Sequence, residues 1–265
     1  MSRLNERFDL ACRTAREAGA LALDYFNDFT SLTVTSKGVQ DMASEADINT
    51  EALIRKAVTA HFPEDNFLGE ESAESFSAKP GAGTWIIDPI DGTQPFVNGI
   101  RSWCVAISFV EGTNIRLGVI FDPTSDELFA AQQGKGATLN GNLIQSAAAT
   151  GLGDGLVCVG FSNRVSPEET LGPLGRLMHA EGMYHRNGSG ALSLAYVAAG
   201  RLIGYFEPHM NSWDFSAGAL MVREAGGRTN DCMPNEATIL EGGMMIAACA
   251  GVYGALEAVI LGQVD

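Results

Sequence analysis

The chain has 265 residues, 46% of them hydrophobic, which is enough to bury a sizeable core as one large domain or two intimately packed halves. Its formal net charge of -15 argues against nonspecific nucleic-acid binding, because neutralising a phosphate backbone takes clustered Lys and Arg. An acidic chain that handles an anionic substrate needs a cation to reverse the local field, and a divalent ion held by several carboxylates does so whatever the net charge.

At the N-terminus, Leu4, Phe8, Ala11, Ala15, Ala18, Ala22 and Tyr25 recur at helical spacing with Arg and Glu between them. This predicts an amphipathic helix and lacks the basic start, apolar run and cleavage site of a signal peptide. No apolar run reaches the roughly 18 residues of a membrane-spanning helix, so the cytoplasm is the expected compartment, with no membrane partner. A turn is predicted around Ser36, Lys37 and Gly38, then a second amphipathic helix over 48–60. The small, polar, acidic stretch from Gly69 to Gly83 reads as loop.

From Trp85 the pattern changes to short strands over 85–87, 104–110, 115–121, 127–131 and 137–143, the last containing Asn140-Gly141. Gly- and Asn-containing turns between consecutive strands predict an antiparallel sheet. The second half alternates: strand 156–160, helix 167–180, strand near Met183, helix 191–199, strand 203–206, helix 215–224, strand 244–248 and helix 254–261. Helices layered on two sheets are expected, in halves 1–145 and 146–265 that make one compact unit. The five cysteines form no CxxC pair and the four histidines no HExxH, so buried free thiols are expected and a His-ligated zinc site is not.

The informative string is Trp85-Ile86-Ile87-Asp88-Pro89-Ile90-Asp91-Gly92-Thr93, an apolar strand running into two aspartates and a helix start. Such a corner can hold both carboxylates on one side of a metal cluster. Backbone N–H groups at the helix start can face an anion. Gly69-Glu70-Glu71-Ser72 offers another carboxylate upstream, and Trp213-Asp214 opens an apolar helix ending Glu224-Ala225-Gly226-Gly227. Asp-Gly-Thr alone is also an ordinary turn, and Asp214 alone an ordinary helix N-cap; both roles are compatible with ligation. Hard carboxylate oxygens without His or Cys suit Mg2+ better than zinc. No Cys-x5-Arg signature suggests a phosphocysteine route. Asp88 or Asp91 as a phosphoaspartate nucleophile is the open alternative, disfavoured by the contexts of Glu70 and Asp214.

These segments, with the Arg186-Asn187-Gly188-Ser189 turn and Glu207 ahead of Trp213, resemble the inositol monophosphatase family over nearly the whole chain. The resemblance implies a five-layer α/β/α/β/α sandwich of the sugar phosphatase type, usually assembled as a homodimer. It implies Mg2+-dependent, lithium-sensitive hydrolysis of a small phosphate monoester by water, with two to three ions. Glu70, Asp88 and the Ile90 carbonyl would hold one ion; Asp88, Asp91 and Asp214 would hold a second; Glu70 would share a third. Asp47 and Thr93 would orient and deprotonate the water. Gly92 and Thr93 would meet the phosphate, and Glu207 with the Gly188-Ser189 turn would meet the alcohol.

Gln94-Pro95 replaces the family's usual Thr or Ser followed by Asn, and Pro208-His209-Met210-Asn211-Ser212 is particular to this chain. Both departures bear on the substrate. myo-Inositol 1-phosphate is the leading expectation. The alternatives are histidinol phosphate or another sugar or nucleotide phosphate, and a further regulatory, protein-binding role of the kind some bacterial relatives have toward the transcription machinery.

Overall fold

A computed structural model describes residues 2–28, 34–38 and 41–263. Helix α1 (Arg3–Asn27) is followed by strands β1 (Val34–Gly38) and β2 (Asp41–Ser44), an antiparallel pair leading straight into α2 (Glu45–His61). The turn expected around Ser36 to Gly38 therefore falls inside a strand. The helix expected from residue 48 starts earlier, at Glu45, because Ser44 caps it: the Ser44 hydroxyl accepts from the Ala46 N–H, and the Asp47 carboxylate reaches back to the Ser44 N–H at 2.8 Å.

Seven strands, β3 (Asn66–Gly69), β4 (Thr84–Asp91), β5 (Cys104–Glu111), β6 (Asn114–Asp122), β7 (Glu127–Gln132), β8 (Ala137–Leu139) and β9 (Asn142–Ile144), lie side by side in chain order. Only β3 and β4 run parallel; the others form the expected antiparallel meander. The Asn140-Gly141 turn joins β8 to β9 with both residues at positive φ, 49° and 81°, as a two-residue hairpin of this hand requires.

The second sheet has the order β11 (Met183–His185), β10 (Leu156–Val159), β12 (Gly204–Met210), β14 (Gly243–Ala248), β13 (Arg228–Thr229). Strand β10 is parallel to both neighbours, so β10, β11 and β12 present their carboxyl ends at one edge. Four further helices, α4 (Glu168–His179), α5 (Gly190–Ala198), α6 (Ser212–Glu224) and α8 (Tyr253–Leu261), pack on this framework; α3 (Thr93–Val97) and α7 (Thr238–Glu241) are short.

Side-chain alternation along the strands assigns the layers. Trp85, Ile87, Val105, Ile107, Leu117 and Val119 pack with Leu10, Ala15, Ala18 and Ile54 of α1 and α2. Ile86, Ala106 and Ile120 face the other way, onto Leu194, Phe215 and Leu220 of α5 and α6, which also meet Tyr205, Met245 and Ala247 of the second sheet. That sheet's outer face, Val157, Phe206 and Ile246, is covered by Leu177 of α4 and Leu256 and Val259 of α8. The result is a five-layer α/β/α/β/α sandwich. No helix among the described residues is long and apolar enough to cross a membrane. All five cysteines are free thiols, four of them buried.

The central helix layer sits against the first sheet at a glycine. A Cβ at Gly118 of β6 would stand 2.6 Å from the Ala217 carbonyl oxygen and 2.7 Å from its Cα, both backbone atoms of α6. Gly118→Ala is expected to destabilise the protein by about 1–3 kcal/mol through overpacking, read as a lower midpoint in urea unfolding. Gly254→Ala, where a Cβ meets open space on α8, is the control expected to show no loss.

Candidate active site

Residues three apart on a regular strand face opposite sides of the sheet, yet Asp88 and Asp91 bring carboxylate oxygens within 4.8 Å of each other. The reason is a β-bulge. Asp88 pairs with Ala106 and Asp91 with Cys104, so β4 spends one more residue than β5 between those pairs. The extra residue falls at Pro89-Ile90, where proline's missing N–H is tolerated. Asp88 Oδ1 accepts the Ile90 N–H at 2.9 Å, which stiffens the corner. Gly92 then turns the chain at φ 99°, with the Ser102 carbonyl 2.6 Å from where a Cβ would be, so no other residue fits.

Asp214 arrives from the first turn of α6. It is not the N-cap: that position is Asn211, whose N–H donates to Asp214 Oδ2 at 2.9 Å. With that oxygen engaged, a carboxylate oxygen of Asp214 lies within 4.8 Å of ones on Asp88 and Asp91. The donors on Asp91 converge on Oδ2: the Ser189 hydroxyl and the Ala191 N–H at 2.7 Å, both at the start of α5. The Ser189 side chain is thus directed at Asp91.

Glu70 opens a short 3-10 turn (Glu70–Ser75) directly after β3, inside the stretch read as loop. The turn is pinned from α2, where Glu51 Oε2 accepts the Glu71 N–H at 2.9 Å while its Oε1 pairs with Arg55 at 2.9 Å, and Arg55 also donates to Ser72 Oγ. Glu70 lines the same cavity as the aspartates without joining their trio. Asp47 is buried behind the cavity wall. Its Oδ2 accepts from Ser44, and its Oδ1 lies 3.3 Å from Thr93 Oγ1, which also sits 3.2 Å from the Ile90 carbonyl oxygen.

The cavity, about 340 Å³, opens at the carboxyl edge of β10, β11 and β12, where open α/β sheets bind ligands. Opposite the aspartates stands Glu207 of β12. The buried Tyr205 hydroxyl donates to Glu207 Oε2, and Gly160 at the end of β10 packs so close to this pair that a Cβ there has no room. Gly188, Ser189, Arg164, Arg186 and His209 complete this side.

Burial pushes Asp88 well above the usual carboxylate range, and the charges of Glu70, Asp91, Asp214 and Asp47 push it further. Asp91 is raised by burial against the opposing hydrogen bonds from Ser189 and the start of α5. Asp214 is pushed up to about 8, by burial first and Asp91 second. Glu207 is pushed up to about 7 by burial, against the pull of the Tyr205 hydroxyl. Mutually repelling buried carboxylates of this kind fit a bound cation, which supplies the charge they lack. The trio is all hard oxygen, the donor set that suits Mg2+.

All eleven residues singled out from the sequence, Asp47, Glu70, Asp88, Ile90, Asp91, Gly92, Thr93, Gly188, Ser189, Glu207 and Asp214, come together at this one place. Sequence reading missed Tyr205, Gly160, Glu51 and Arg164. Tyr205 alternates with Glu207 along β12, and Asp47 and Glu51 share a helix face at i,i+4; those spacings were the available signals.

The sequence model of the inositol monophosphatase family matches residues 3–264. The inositol-1-monophosphatase of Rhizobium meliloti is 36% identical over 243 residues, covering 91% of this chain and 90% of that one. The Nus factor SuhB of Escherichia coli is 34% identical over 230 residues, covering 86% of each. Among solved structures, the extragenic suppressor protein suhB of Bartonella henselae superposes with a TM-score of 0.87 at 32% identity, over 97% of this chain and 98% of that one.

A carboxyl group whose folded-state pKa is raised stabilises the fold below its ordinary value, and that contribution is lost as pH rises through the raised one. For Asp214 the window runs from 3.8 to about 8. The metal-free protein should therefore lose melting temperature as pH rises across it. Because an ion binds the deprotonated trio, the gain in melting temperature from a saturating divalent cation should grow from about pH 6 to about pH 9. Thermal melts with and without the cation measure both, and Asp214→Asn should flatten the dependence. A cation effect independent of pH would show that these carboxylates do not bind the ion.

Proposed function

The chain belongs to the inositol monophosphatase family and is a phosphatase, and on that premise we propose that it hydrolyses myo-inositol 1-phosphate to inositol and phosphate with Mg2+ and water, in the cytoplasm. The observation carrying this reading is the Asp88, Asp91 and Asp214 trio, with oxygens within 4.8 Å of one another, in the same cavity as Thr93 and Glu207. Those three residues, Glu70 and the Ile90 carbonyl would hold two to three ions. Mg2+ when bound supplies positive charge for the phosphoryl oxygens and the leaving alkoxide, and acidifies water.

The chain's own residues do the rest. Thr93 Oγ1, donating to Asp47 Oδ1 at 3.3 Å, turns a lone pair outward to hold the attacking water. As the water attacks, its proton passes to Thr93 Oγ1 and the threonine proton to Asp47 Oδ1. Gly92 and Thr93 present backbone N–H groups to the phosphate. Glu207, steadied by Tyr205 through Oε2, accepts a hydroxyl of the alcohol through its other oxygen.

The 36% and 34% identities to a phosphatase and to a Nus factor do not divide enzyme from factor. A protein that only bound partners would have no use for buried repelling carboxylates, and they favour the enzyme. Histidinol phosphate is the competing substrate, and a turnover panel with inositol 1-phosphate separates the two.

Chelation with EDTA should abolish turnover and Mg2+ restore it; turnover surviving exhaustive chelation would end this reading. Thr93→Ala should slow inositol 1-phosphate and p-nitrophenyl phosphate alike. Glu207→Gln should lower kcat/KM on the first by about 1–3 kcal/mol in transition-state terms and spare the second, which lacks the hydroxyl. Equal proportional losses for Glu207→Gln would place the alcohol elsewhere.

A homodimer is part of the same proposal. Leu156 and Met183 are large, apolar, exposed and paired on one face of β10 and the edge strand β11, and Tyr184 is exposed on the other face, apolar surface that edge strands otherwise avoid. Light scattering should give twice the chain mass for the wild type and a monomer for Met183→Glu with Tyr184→Glu. An unchanged mass in the double variant would move the interface elsewhere.

A further inference from the structure

One turn after Asp47, helix α2 presents a second buried carboxylate that the chemistry above does not use. Glu51 ends on the segment that leads into Glu70. Its Oε2 accepts the Glu71 N–H at 2.9 Å, and its Oε1 pairs with Arg55 at 2.9 Å. Arg55 stands over the Phe67 ring, 4.1 Å from its centroid, and the same guanidinium donates to Ser72 Oγ. The carboxylate also lies against the backbone: a Cβ at Gly69 would stand 2.2 Å from Glu51 Oε2, although Gly69 has an ordinary extended φ of -111°. Glycine is required there by the carboxylate, not by the course of the chain.

The turn that follows needs this support. Strand β3 pairs in parallel with β4 in a register that sets Gly69 beside Ile87, so the next residues, Glu70 and Asp88, come abreast at the cavity. Of the neighbouring carboxylates, Glu70 is the one whose charge raises Asp88 most. The 3-10 turn that carries it also holds Glu71 and Glu74, and none of its residues is buried. Repulsion therefore acts on a turn with little apolar anchorage, just where the pairing of β3 stops. Glu51 answers both problems. It takes an N–H that the start of the turn leaves without a partner inside the turn, and Arg55 balances the charge brought in to do so.

Resting on the proposed function, we infer that Glu51 is a positioning residue for the ion that Glu70 would share: it fixes the Glu70 turn against α2, so that Mg2+ affinity at Glu70 depends on a carboxylate that does not itself line the cavity. Hydrogen-bond partners one step behind a ligand typically change ion affinity by about 10–100-fold when they are removed. Glu51→Gln keeps the size of the side chain and loses its function. The amide has a single acceptor oxygen, which can meet the Glu71 N–H or Arg55 but not both, and its NH2 group then faces a donor.

The test titrates Mg2+ into the metal-free protein by calorimetry and, separately, follows turnover of inositol 1-phosphate against Mg2+ concentration, for the wild type, Glu51→Gln, Glu70→Gln and the double variant. Glu51→Gln should weaken one Mg2+ site by about tenfold or more, leave the rest as in the wild type, and raise the half-saturating Mg2+ concentration with kcat recovered at saturation. In the Glu70→Gln background the same change should alter Mg2+ affinity by less than about twofold, because the residue through which Glu51 acts is gone. Wild-type Mg2+ affinity in Glu51→Gln would overturn the inference. So would a loss of kcat that Mg2+ does not recover, or an effect of equal size with and without Glu70, either of which would make Glu51 a support of the fold alone. Arg55→Gln, at a partly exposed position, loosens the same contact from outside and should weaken the same site to a smaller degree; if Glu51→Gln does not fold, wild-type affinity in Arg55→Gln overturns the inference in its place. A Glu70→Gln protein that binds Mg2+ as the wild type does would also overturn it while leaving the proposed function standing. A wild type that binds no Mg2+ and turns over without it would remove that function, and the inference with it.

Discussion

Repulsion among carboxylates that the fold buries is the constraint from which the rest of this structure follows. Asp88, Asp91 and Asp214 are each raised by burial, and Asp88 and Asp214 are raised further by the charges of neighbouring carboxylates. A fold that forces such groups together must hold them by covalent geometry and by hydrogen bonds that leave some oxygens unsatisfied. Both devices are present. The bulge at Pro89-Ile90 brings two aspartates to one side of β4, and backbone N–H groups take up Asp91 Oδ2 and Asp214 Oδ2. What remains is an oxygen-lined position that a hard cation stabilises.

The layers exist around that position. Helix α6 must approach the first sheet closely enough to bring Asp214 to Asp88, and Gly118 permits the approach. Helix α5 must begin where its Ser189 and Ala191 can reach Asp91, which sets its entry from the second sheet. Helix α2 carries Asp47 toward Thr93 and, one turn later, Glu51 toward the Glu70 turn. One helix therefore couples the residue proposed to turn toward water with the loop proposed to offer a further ligand. Residues far apart in sequence are held by short polar contacts, while the apolar bulk of each helix does the anchoring.

Much of this was legible in the chain. The antiparallel meander and the alternation of the second half follow from hydrophobic period and turn residues, whereas the five layers and the set of eleven site residues came from the resemblance to the family. The misses have physical reasons. Strand β3 (Asn66–Gly69) is only four residues long and the Glu70–Ser75 turn is short and acidic, so neither has an apolar period to read; they gain their form from pairing with β4 and from Glu51. The α6 boundary fell three residues late because the sequence signal came from the apolar face, whereas the helix starts at Ser212 under the Asn211 cap. Asp214 consequently read as a cap when it is the residue that reaches back to one. The bulge itself carries no compositional mark beyond Pro89.

The two ends of the cavity come from different parts of the chain, and this explains why the reaction was easier to read than the substrate. Glu70, Asp88, Ile90, Asp91 and Thr93 belong to the first sheet and its connections, where strand pairing and a bulge dictate position. Arg164, Arg186, Glu207 and His209 lie on or after the three parallel strands of the second sheet. Segments at strand ends tolerate exchange far better than a paired strand does, so side chains there can change while the carboxylate end stays as it is. Gly160 and Tyr205 are the exceptions on that side: they pack against Glu207 from β10 and β12 and hold its carboxylate in one orientation. Glu207 is thus built in with a rigidity close to that of the aspartates, whereas Arg164 and Arg186 are held only through their backbones. The carboxylate end is set by the fold, and the opposite end is graded from the rigid Glu207 to the exposed Arg164 and Arg186.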